Sequence, residues 1–470
     1  MASKFVLNNI RTKKISNKFL ITNESGKFKL LNKEEHDKLI VSNECENELF
    51  HELERKNLII TDKNIKKIEE EYQEKNSFLF GGTSLHIIVP TLRCNMNCCY
   101  CHASSIRTSS RDYDMSFELA EKTVDFIFQT PSNSITMEFQ GGEPLLNFPV
   151  VKHITKYAKK LATEKKKNLH LALVTNLTLM DEEKLSFIIE NNISLCTSLD
   201  GPKHIHDKNR PLGKSGSYDL VTKWIKKINH EYKKRGIKQK VSALLTLTSH
   251  GLGSPKEIID EYIKNECPII HLRFLNNLGD ARPVWKEISY SPEEFLQFWE
   301  KAMEYIIDLN TKGHKVAERG TAIMLKKIFN DVDPGYLDLR SPCGAVIGQM
   351  AYNHNGNIYT CDEGRMFSED IFKLGNVTTD SYADILTCNK TCSIVDASIN
   401  DAYICDQCAY KPYCGLCPVC NYAEEGTIIS NVVTSSRCKI FRKQLDYIFK
   451  KIIADDKEFK VFKEWLNIDI

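Results

Sequence analysis

The period of apolar and polar positions changes repeatedly along the middle of the chain. Apolar, β-branched runs alternate with stretches whose apolar residues recur at helical spacing. The apolar runs lie at 84–91, 134–140, 169–176, 193–200, 240–248 and 268–275. Alternating strands and helices predict an α/β fold in which a parallel sheet is covered by helices. Six such units predict a partial (β/α)6 barrel of the TIM type, open rather than closed, with functional groups in the loops after the strands.

The first 80 residues show a different pattern. FLITNESGKFKLL (19–31) has two apolar runs around Asn23–Gly26 and predicts a β-hairpin. Segments with helical spacing follow at 33–40 and 46–59, and a charged helix or linker follows at 63–76. We expect a small α+β domain over 1–80. Two interpretations are open: the domain packs as a cap, or it docks a peptide, since a hairpin edge accepts an added strand.

Composition narrows the class of protein. The 470 residues are 42% hydrophobic, and 64 Lys and Arg nearly balance 62 Asp and Glu. A near-neutral chain does not favour binding of nucleic acid through bulk basicity. No apolar run is long enough to cross a membrane, and the N-terminus lacks the apolar segment of a secretory signal. We therefore expect a cytoplasmic protein with neither a nucleic-acid nor a membrane partner.

The cysteines carry the strongest chemical signal. There are 17, an odd number, so they cannot all pair within the chain, and in a reducing compartment clustered cysteines favour metal ligation or catalysis over disulfides. Cys94, Cys98 and Cys101 follow the first predicted strand with C-x3-C-x2-C spacing. Three thiolates on one loop can bind three corners of an iron–sulfur cube and leave one iron open. A zinc site with Cys99 as fourth ligand is the alternative, although Cys99 adjoins Cys98.

A second group of cysteines lies near the C-terminus. Its members are Cys343, Cys361, Cys405, Cys408, Cys414, Cys417, Cys420 and Cys438. A zinc ribbon would explain one C-x2-C pair equally well. Thiolates spread along the chain from residue 343 to residue 438 fit iron–sulfur clusters better than they fit a single zinc ribbon.

The first group carries a family resemblance. C-x3-C-x-aromatic-C at the end of the first strand of a β/α array resembles the radical S-adenosylmethionine (SAM) enzymes. Three further strand ends agree: the FQGGEP stretch at 139–144, the Thr-Asn pair at 175–176 and SLDGP at 198–202, which Arg210 follows. The resemblance implies that SAM binds to a [4Fe–4S] cluster at the three cysteines. It also implies that the SAM amino group meets the GGEP loop and that the later strand ends contact its ribose and carboxylate. The implied cofactor-binding residues are Gly141, Gly142, Glu143, Pro144, Asn176, Ser198, Asp200 and Arg210.

The second group resembles the SPASM extension of peptide-modifying radical SAM enzymes, which implies one or two auxiliary [4Fe–4S] clusters. By that resemblance Cys405, Cys408, Cys414 and Cys438 hold one cluster. Cys343 and Cys361 hold the other with one further cysteine. The family spacing is C-x5-C-x3-C, whereas this chain reads CGLCPVC at 414–420, so Cys417 and Cys420 are both candidates and an iron open to substrate stays possible. Asp362, next to Cys361, matches the general base of sulfatase-maturing enzymes.

These resemblances divide the chain and imply its function. The expected domains are 1–80, a radical SAM partial barrel over 81–315, a SPASM domain over 316–450 and a helical tail over 451–470. Stretches across the chain look like the maturase of the His-Xaa-Ser peptide system; among them are LITNESGKF, SLHIIVPTLRCNMNCCYC, TSLDGPKHIHDKNR and CAYKPYCG. The implied activity is reductive cleavage of SAM to a 5′-deoxyadenosyl radical that modifies a ribosomally made precursor peptide, with flavodoxin or ferredoxin as reductant. The alternatives are formylglycine formation of the sulfatase-maturing type and, more remotely, a non-enzymatic zinc protein.

Overall fold

The structure is a computed structural model that describes residues 5–330, 333–367, 369–455 and 457–468. Its N-terminal part is an α+β unit. The predicted hairpin is confirmed as the second and third strands of a three-stranded antiparallel sheet, ordered β2-β3-β4. The elements are β1 Val6–Leu7, β2 Arg11–Ile15, β3 Lys18–Thr22, β4 Phe28–Leu31, α1 Lys33–Ile40, α2 Asn47–Arg55, β5 Ile59–Ile60 and α3 Ile65–Asn76. Sequence reasoning missed β2, because RTKKI has few apolar positions.

The middle of the chain contains the predicted parallel strands, and the first five of them lie side by side in chain order. The strands are β6 Leu85–Thr91, β7 Ser134–Gly141, β8 Asn168–Val174, β9 Ile193–Ser198, β10 Ser242–Thr246, β11 Ile269–Ile270, β12 Leu272–Arg273 and β13 Ala317–Glu318. The sixth predicted strand is divided: β12 pairs with β10, whereas β11 pairs with β13.

Helices cover the outside of these strands. They are α4 Phe117–Ile127, α5 Phe148–Glu164, α6 Glu182–Glu190, α7 Lys203–Asn209, α8 Tyr218–Lys234, α9 Pro255–Lys264, α10 Trp285–Ile288, α11 Pro292–Thr311 and α12 Arg319–Phe329. The partial barrel expected from six β/α units is therefore confirmed.

The two faces of the strands are packed differently. On β7, Ile135, Met137 and Phe139 are fully buried against the helices. The alternate residues, among them Glu138 and Gln140, are only half-buried. The same alternation occurs on β9, where Ser194, Cys196 and Ser198 are half-buried. Because successive side chains of a strand point to opposite faces, the half-buried ones face the interior of the barrel, which is incompletely filled.

The C-terminal part continues the same sheet. Its strands are β14 Gln349–Tyr352, β15 Asn357–Tyr359 and β16 Lys373–Asn376. β14 pairs in parallel with β6, the first barrel strand, and gives the nine-stranded order β12-β10-β9-β8-β7-β6-β14-β15-β16. The helices that follow are α13 Tyr382–Thr387, α14 Asn389–Asp396, α15 Tyr403–Asp406, α16 Pro418–Glu425, α17 Ser436–Ala454 and α18 Lys457–Trp465.

The N-terminal unit rests on the C-terminal cysteine region. Thr22 Oγ1 donates a hydrogen bond to the Ala409 carbonyl at 2.9 Å, and Tyr413 donates its hydroxyl to the Gly26 carbonyl at 2.7 Å. The hairpin turn therefore contacts the loop that contains Cys408 and Cys414. Within the described ranges, no helix has both the length and the apolar character needed to span a bilayer.

Candidate active site

The first cysteine loop begins directly after β6 and is held on both sides. The Cys94 amide donates to the Ile106 carbonyl at 3.0 Å, and the Asp280 amide donates to the Cys101 carbonyl at 2.9 Å. The Cys101 amide donates to the Cys98 carbonyl at 3.2 Å and closes the turn between them. Cys94 and Cys101 lie close enough to Cys98 that their charges add to the rise that burial causes in the pKa of the Cys98 thiol. The predicted ligands therefore lie together on one short loop at the carboxyl end of β6.

Cys99 does not join this group. Its Sγ lies 3.9 Å from Asn209 Oδ1, and the residue packs in an apolar cluster that contains Tyr100 and Leu275. Burial raises the pKa of Cys94 to about 11 and that of Cys98 to about 12. Without metal these thiols stay protonated at neutral pH, and binding of iron must release their protons.

The two glycines after β7 bring that strand against the cysteine loop. A Cβ on Gly142 would lie 2.1 Å from the Arg93 carbonyl oxygen, and one on Gly141, whose φ is +124°, would lie 2.5 Å from Val89 Cγ1. The Gly142 amide donates to the Thr91 carbonyl at 3.0 Å. The contact of Gly141 and Gly142 with SAM stays a prediction, and what the structure adds is their close approach to the backbone that carries Cys94.

Glu143 is a fully buried carboxylate that joins the loops after β7 and β8. It accepts hydrogen bonds from the Leu145 amide at 3.0 Å, the Thr175 hydroxyl at 2.7 Å and the Asn176 amide at 2.8 Å. Burial raises the pKa of this carboxyl, and the three donors oppose the rise. Three of its roughly four acceptor positions are thus occupied. Pro144, also buried, begins the short 3₁₀ turn that follows.

The strand ends after β8 and β9 also reach the cysteine loop. Asn176 Nδ2 donates to Asn95 Oδ1 at 3.0 Å and lies 4.0 Å from Cys94 Sγ. Ser198, at the end of β9, is half-buried on the interior face beside Leu244. Asn176 therefore positions the loop that carries Cys94.

Asp200 and Arg210 are linked through Tyr100, which sequence reasoning did not assign. Tyr100 donates its hydroxyl to Asp200 Oδ2 at 2.7 Å, and Arg210 Nη1 donates to the Tyr100 oxygen at 2.8 Å. Burial raises the pKa of Asp200. The signal that could have found Tyr100 is the aromatic position within the cysteine motif. Contacts of Asp200 and Arg210 with SAM stay predictions, and what the structure adds is that both hold the cysteine loop.

The donors at this site fit an iron–sulfur cluster with a bound anion. Arg210 Nε is buried and has no hydrogen-bond partner. Among the charges around Arg210, Cys98 acts on it most strongly. A buried guanidinium with an unsatisfied nitrogen next to a thiol suits an anionic cluster or a carboxylate ligand.

The second cysteine group divides into two sets. Cys405, Cys408, Cys414 and Cys438 line a cavity of about 260 Å³ together with Arg437 and Arg442, and Cys417 of the other set borders the same cavity. Their charges interact with one another, and burial raises the pKa of Cys405 to about 11 and that of Cys414 to about 12. The four cysteines that the resemblance assigned to one auxiliary cluster therefore surround one space.

The other set contains both candidates for its missing member. Cys343, Cys361, Cys417 and Cys420 belong to one buried cluster. The charge of Cys417 acts on Cys343 and on Cys361. The Cys420 amide donates to Cys417 Sγ at 3.5 Å, and Arg437 Nη1 donates to Cys420 Sγ at 3.4 Å. Where the sequence left a choice between the two cysteines, the structure brings both beside Cys343 and Cys361.

Asp362 lies between the barrel interior and this second set. Its Oδ1 accepts a hydrogen bond from Arg365 Nε at 2.7 Å, and Arg365 Nη1 also donates to the Ala103 carbonyl at 3.2 Å. The charge of Asp362 helps to raise the pKa of Glu138 inside the barrel, after the larger effect of burial. Asp362 therefore faces the interior while Arg365 ties it to the end of the cysteine loop.

Among residues 5–330, 333–367, 369–455 and 457–468, no three His, Cys, Asp or Glu side chains converge closely enough to hold one metal ion. A zinc site needs that convergence, whereas a [4Fe–4S] cube spreads its thiolates over separate corners.

Comparison with known proteins gives the same assignment. The Radical SAM superfamily matches residues 88–261, and the SPASM iron–sulfur cluster-binding domain matches residues 343–421. The cysteine-type anaerobic sulfatase-maturating enzyme of Clostridium perfringens is 25% identical over 374 residues, which are 77% of this chain and 94% of that protein.

Two solved structures share the fold. Native anSMEcpe with bound AdoMet and Cp18Cys peptide superposes with a TM-score of 0.65 at 22% identity and covers 79% of this chain and 98% of its own. Streptococcus suis SuiB bound to the precursor peptide SuiA superposes with a TM-score of 0.55 at 14% identity, covering 91% and 98%. The zinc alternative is set aside because the SPASM domain is an iron–sulfur domain.

The matches cover the barrel and the C-terminal cysteine region, and the fold agrees with both. The radical SAM domain binds SAM and a [4Fe–4S] cluster, and the SPASM domain binds auxiliary iron–sulfur clusters. This chain is therefore a radical SAM enzyme with a SPASM domain, and it is related to the anaerobic sulfatase-maturating enzymes.

Proposed function

We propose that the enzyme modifies a ribosomally made precursor peptide by radical chemistry. When bound, SAM and the reduced cluster together supply a 5′-deoxyadenosyl radical that removes a hydrogen atom from the substrate. The observation that carries the proposal is the group of Cys94, Cys98 and Cys101 at the end of β6, with Cys99 turned away. Three local thiolates leave one corner of a cube for another ligand.

The chain's own residues would orient SAM at this corner. Glu143 has one acceptor position left beside Asn176 and suits an ammonium group. Arg210 has its unsatisfied Nε for a carboxylate. Ser198, half-buried at the end of β9, faces the interior where a ribose would lie. The barrel wall excludes water from the reacting groups, which protects a radical from side reactions.

Both auxiliary clusters are proposed to have four cysteine ligands. Cys405, Cys408, Cys414 and Cys438 would hold one, and Cys343, Cys361, Cys417 and Cys420 the other. In that case neither auxiliary cluster offers an open iron to the peptide, and their role is to accept or pass electrons.

Replacement of the two uncertain cysteines one at a time tests this ligand set. Cys417→Ala and Cys420→Ala should each lower the iron content by up to about four atoms per chain from about twelve. Each should also perturb the electron paramagnetic resonance spectrum of the reduced auxiliary cluster. Cys392→Ala, an exposed cysteine outside both sets, serves as control and should leave both readouts unchanged. A Cys420→Ala protein with full iron and an unaltered spectrum would leave Cys417 as the sole fourth ligand.

The peptide is proposed to dock on the N-terminal domain, residues 1–80. Support comes from its position, because the hairpin contacts the loop of Cys408 and Cys414 through Thr22 and Gly26. A peptide that adds to an edge of this sheet would then lie near the auxiliary clusters. The stretches resembling the His-Xaa-Ser maturases favour a peptide of that system. A flavodoxin or ferredoxin would supply the electron, and we place the enzyme in the cytoplasm.

Formylglycine formation is the second candidate function. The similarity to the cysteine-type maturase favours it, as does Asp362 next to Cys361 and facing the barrel interior. Asp362 would act as the general base that removes a proton from the substrate.

Co-expression of the enzyme with a small peptide encoded by a neighbouring reading frame tests the function and separates the two candidates. The expected result is a modified peptide without a hydrazide-reactive carbonyl, such as a crosslink that has lost two hydrogen atoms. A hydrazide-labelled product would instead support formylglycine formation. If formylglycine is the product, Asp362→Asn should retain release of 5′-deoxyadenosine but lose most of that product, since only the later proton transfer is removed. If the mass of every candidate peptide is unchanged although SAM is cleaved, peptide modification is wrong.

A further inference from the structure

Arg319 is a cation inside the barrel without a partner. It is the first residue of α12, directly after β13. Its Nε is buried and has no hydrogen-bond partner. In the described part of the chain, no carboxylate lies within ion-pair distance of its guanidinium. Arg319 is half-buried, and a buried guanidinium nitrogen without a partner costs free energy, so the arrangement needs an explanation.

The acidic residue next to it in sequence is fully used elsewhere. Glu318 caps the start of α12 and accepts hydrogen bonds from the Gly320 amide at 3.1 Å and from the amide and hydroxyl of Thr321 at 2.5 and 2.7 Å. It accepts a further one from the Leu272 amide at 3.2 Å. With four donors on its two oxygens, Glu318 has no lone pair left for Arg319.

The acidic residues across the interior also have their own partners. Glu363 Oε1 pairs with Arg273 Nη2 at 3.1 Å, and Asp362 Oδ1 pairs with Arg365 Nε at 2.7 Å. Each carboxylate therefore has a guanidinium of its own. Arg319 pairs with neither of these two carboxylates.

The remaining acidic residue of the interior, Glu138, is hydrogen-bonded to a side-chain amide. Glu138, on β7, accepts a hydrogen bond from Gln140, and burial raises its pKa, which favours the neutral form. The charge of Arg319 acts on Glu138, on the Cys196 thiol and on His271. These side chains come from β7, β9 and the segment between β11 and β12, so Arg319 lies within reach of an interior that the strands leave incompletely filled.

We propose that Arg319 binds a carboxylate of the substrate and fixes its position in the barrel. The inference rests on the proposed function, because it takes the occupant of the interior to be a peptide. A guanidinium recognises a carboxylate through paired hydrogen bonds, which fix orientation as well as supply binding energy. The carboxylate belongs either to an acidic side chain of the peptide or to its C-terminus. Arg319 is a positioning residue, which selects peptides that carry this group near the reacting position.

Binding of small carboxylates to the reconstituted holoenzyme tests the proposal without the natural peptide. The probes are N-acetyl-glutamate α-amide for a side-chain carboxylate and N-acetyl-glycylglycine for a C-terminal one. N-acetyl-glutamine α-amide is the neutral control. Calorimetry should show that at least one carboxylate probe binds about tenfold or more tightly than the neutral one. Arg319→Met should remove this difference, and Arg319→Lys should weaken it.

Stability without ligand separates a binding role from a structural one. Arg319→Met should leave the melting temperature unchanged or raise it by a few degrees, since a half-buried charge without an ion pair is removed. Arg273→Met is the matched control and should lower it, because Glu363 then loses its partner. If Arg319→Met destabilises the protein as Arg273→Met does, or if the wild type binds neither carboxylate, the proposal is overturned. Release of 5′-deoxyadenosine without peptide is measured in parallel, so that failure of the radical chemistry is recognised separately.

Discussion

Replacing Cys94, Cys98 and Cys101 together with alanine should abolish the release of 5′-deoxyadenosine under anaerobic reduction. The three thiols converge at the end of β6 and are the ligands proposed for the cluster that binds SAM. The protein should lose about four iron atoms per chain and keep about eight, because both auxiliary sets lie in the C-terminal part. Iron analysis and chromatography of the reaction products measure the two effects.

The neighbouring cysteine provides the matched control. Cys99→Ala changes a thiol of the same loop, but its Sγ lies against Asn209 and outside the ligand group. It should keep the full iron content and most of the SAM cleavage. Unchanged cleavage in the triple variant would exclude the proposed mechanism, and loss of iron in Cys99→Ala would mean that the ligand set is wrong.

Gly142→Ala should have nearly as large an effect, although it changes no ligand. The added Cβ would lie 2.1 Å from the Arg93 oxygen and 2.5 Å from the Leu92 oxygen, and backbone cannot move aside cheaply. Overpacking of this kind costs about 1–3 kcal/mol or more, and here the strain falls on the loop that carries Cys94. We expect loss of the iron of the radical SAM cluster and a fall in SAM cleavage of at least about tenfold.

The control for this substitution is Gly253→Ala. Gly253 is exposed, and a Cβ there would meet nothing within 4 Å. It should behave like the wild type in iron content, SAM cleavage and melting temperature. If Gly142→Ala also keeps its full iron content, the contact between β7 and the cysteine loop does not hold the cluster in place.

Much of the barrel could be predicted from the sequence because its signals are local. A strand such as 134–140, buried on one face, and a helix such as 150–162 each show their period within about a dozen residues. The cysteine loop could be predicted from the sequence equally well, since its three proposed ligands lie within eight positions and follow a strand. Parallel order then follows from the alternation of strands and helices.

Features that depend on distant parts of the chain could not be predicted. The pairing of β14 with β6 leaves no trace in the periodicity of either strand. The bonds that join Tyr100 to Asp200 and Arg210 depend on three segments meeting. That Arg319 forms no ion pair among the described residues becomes visible only after the partners of the carboxylates around it are known.

The pairing of β14 with β6 also has a consequence for synthesis on the ribosome. β6 is made early, yet the strand that covers its second edge emerges only after the whole barrel has been translated. Until then the nascent chain presents an exposed strand edge beside a loop of reactive thiols, and such edges promote aggregation. We therefore expect the unfinished chain to be most prone to aggregation between synthesis of the barrel and synthesis of β14.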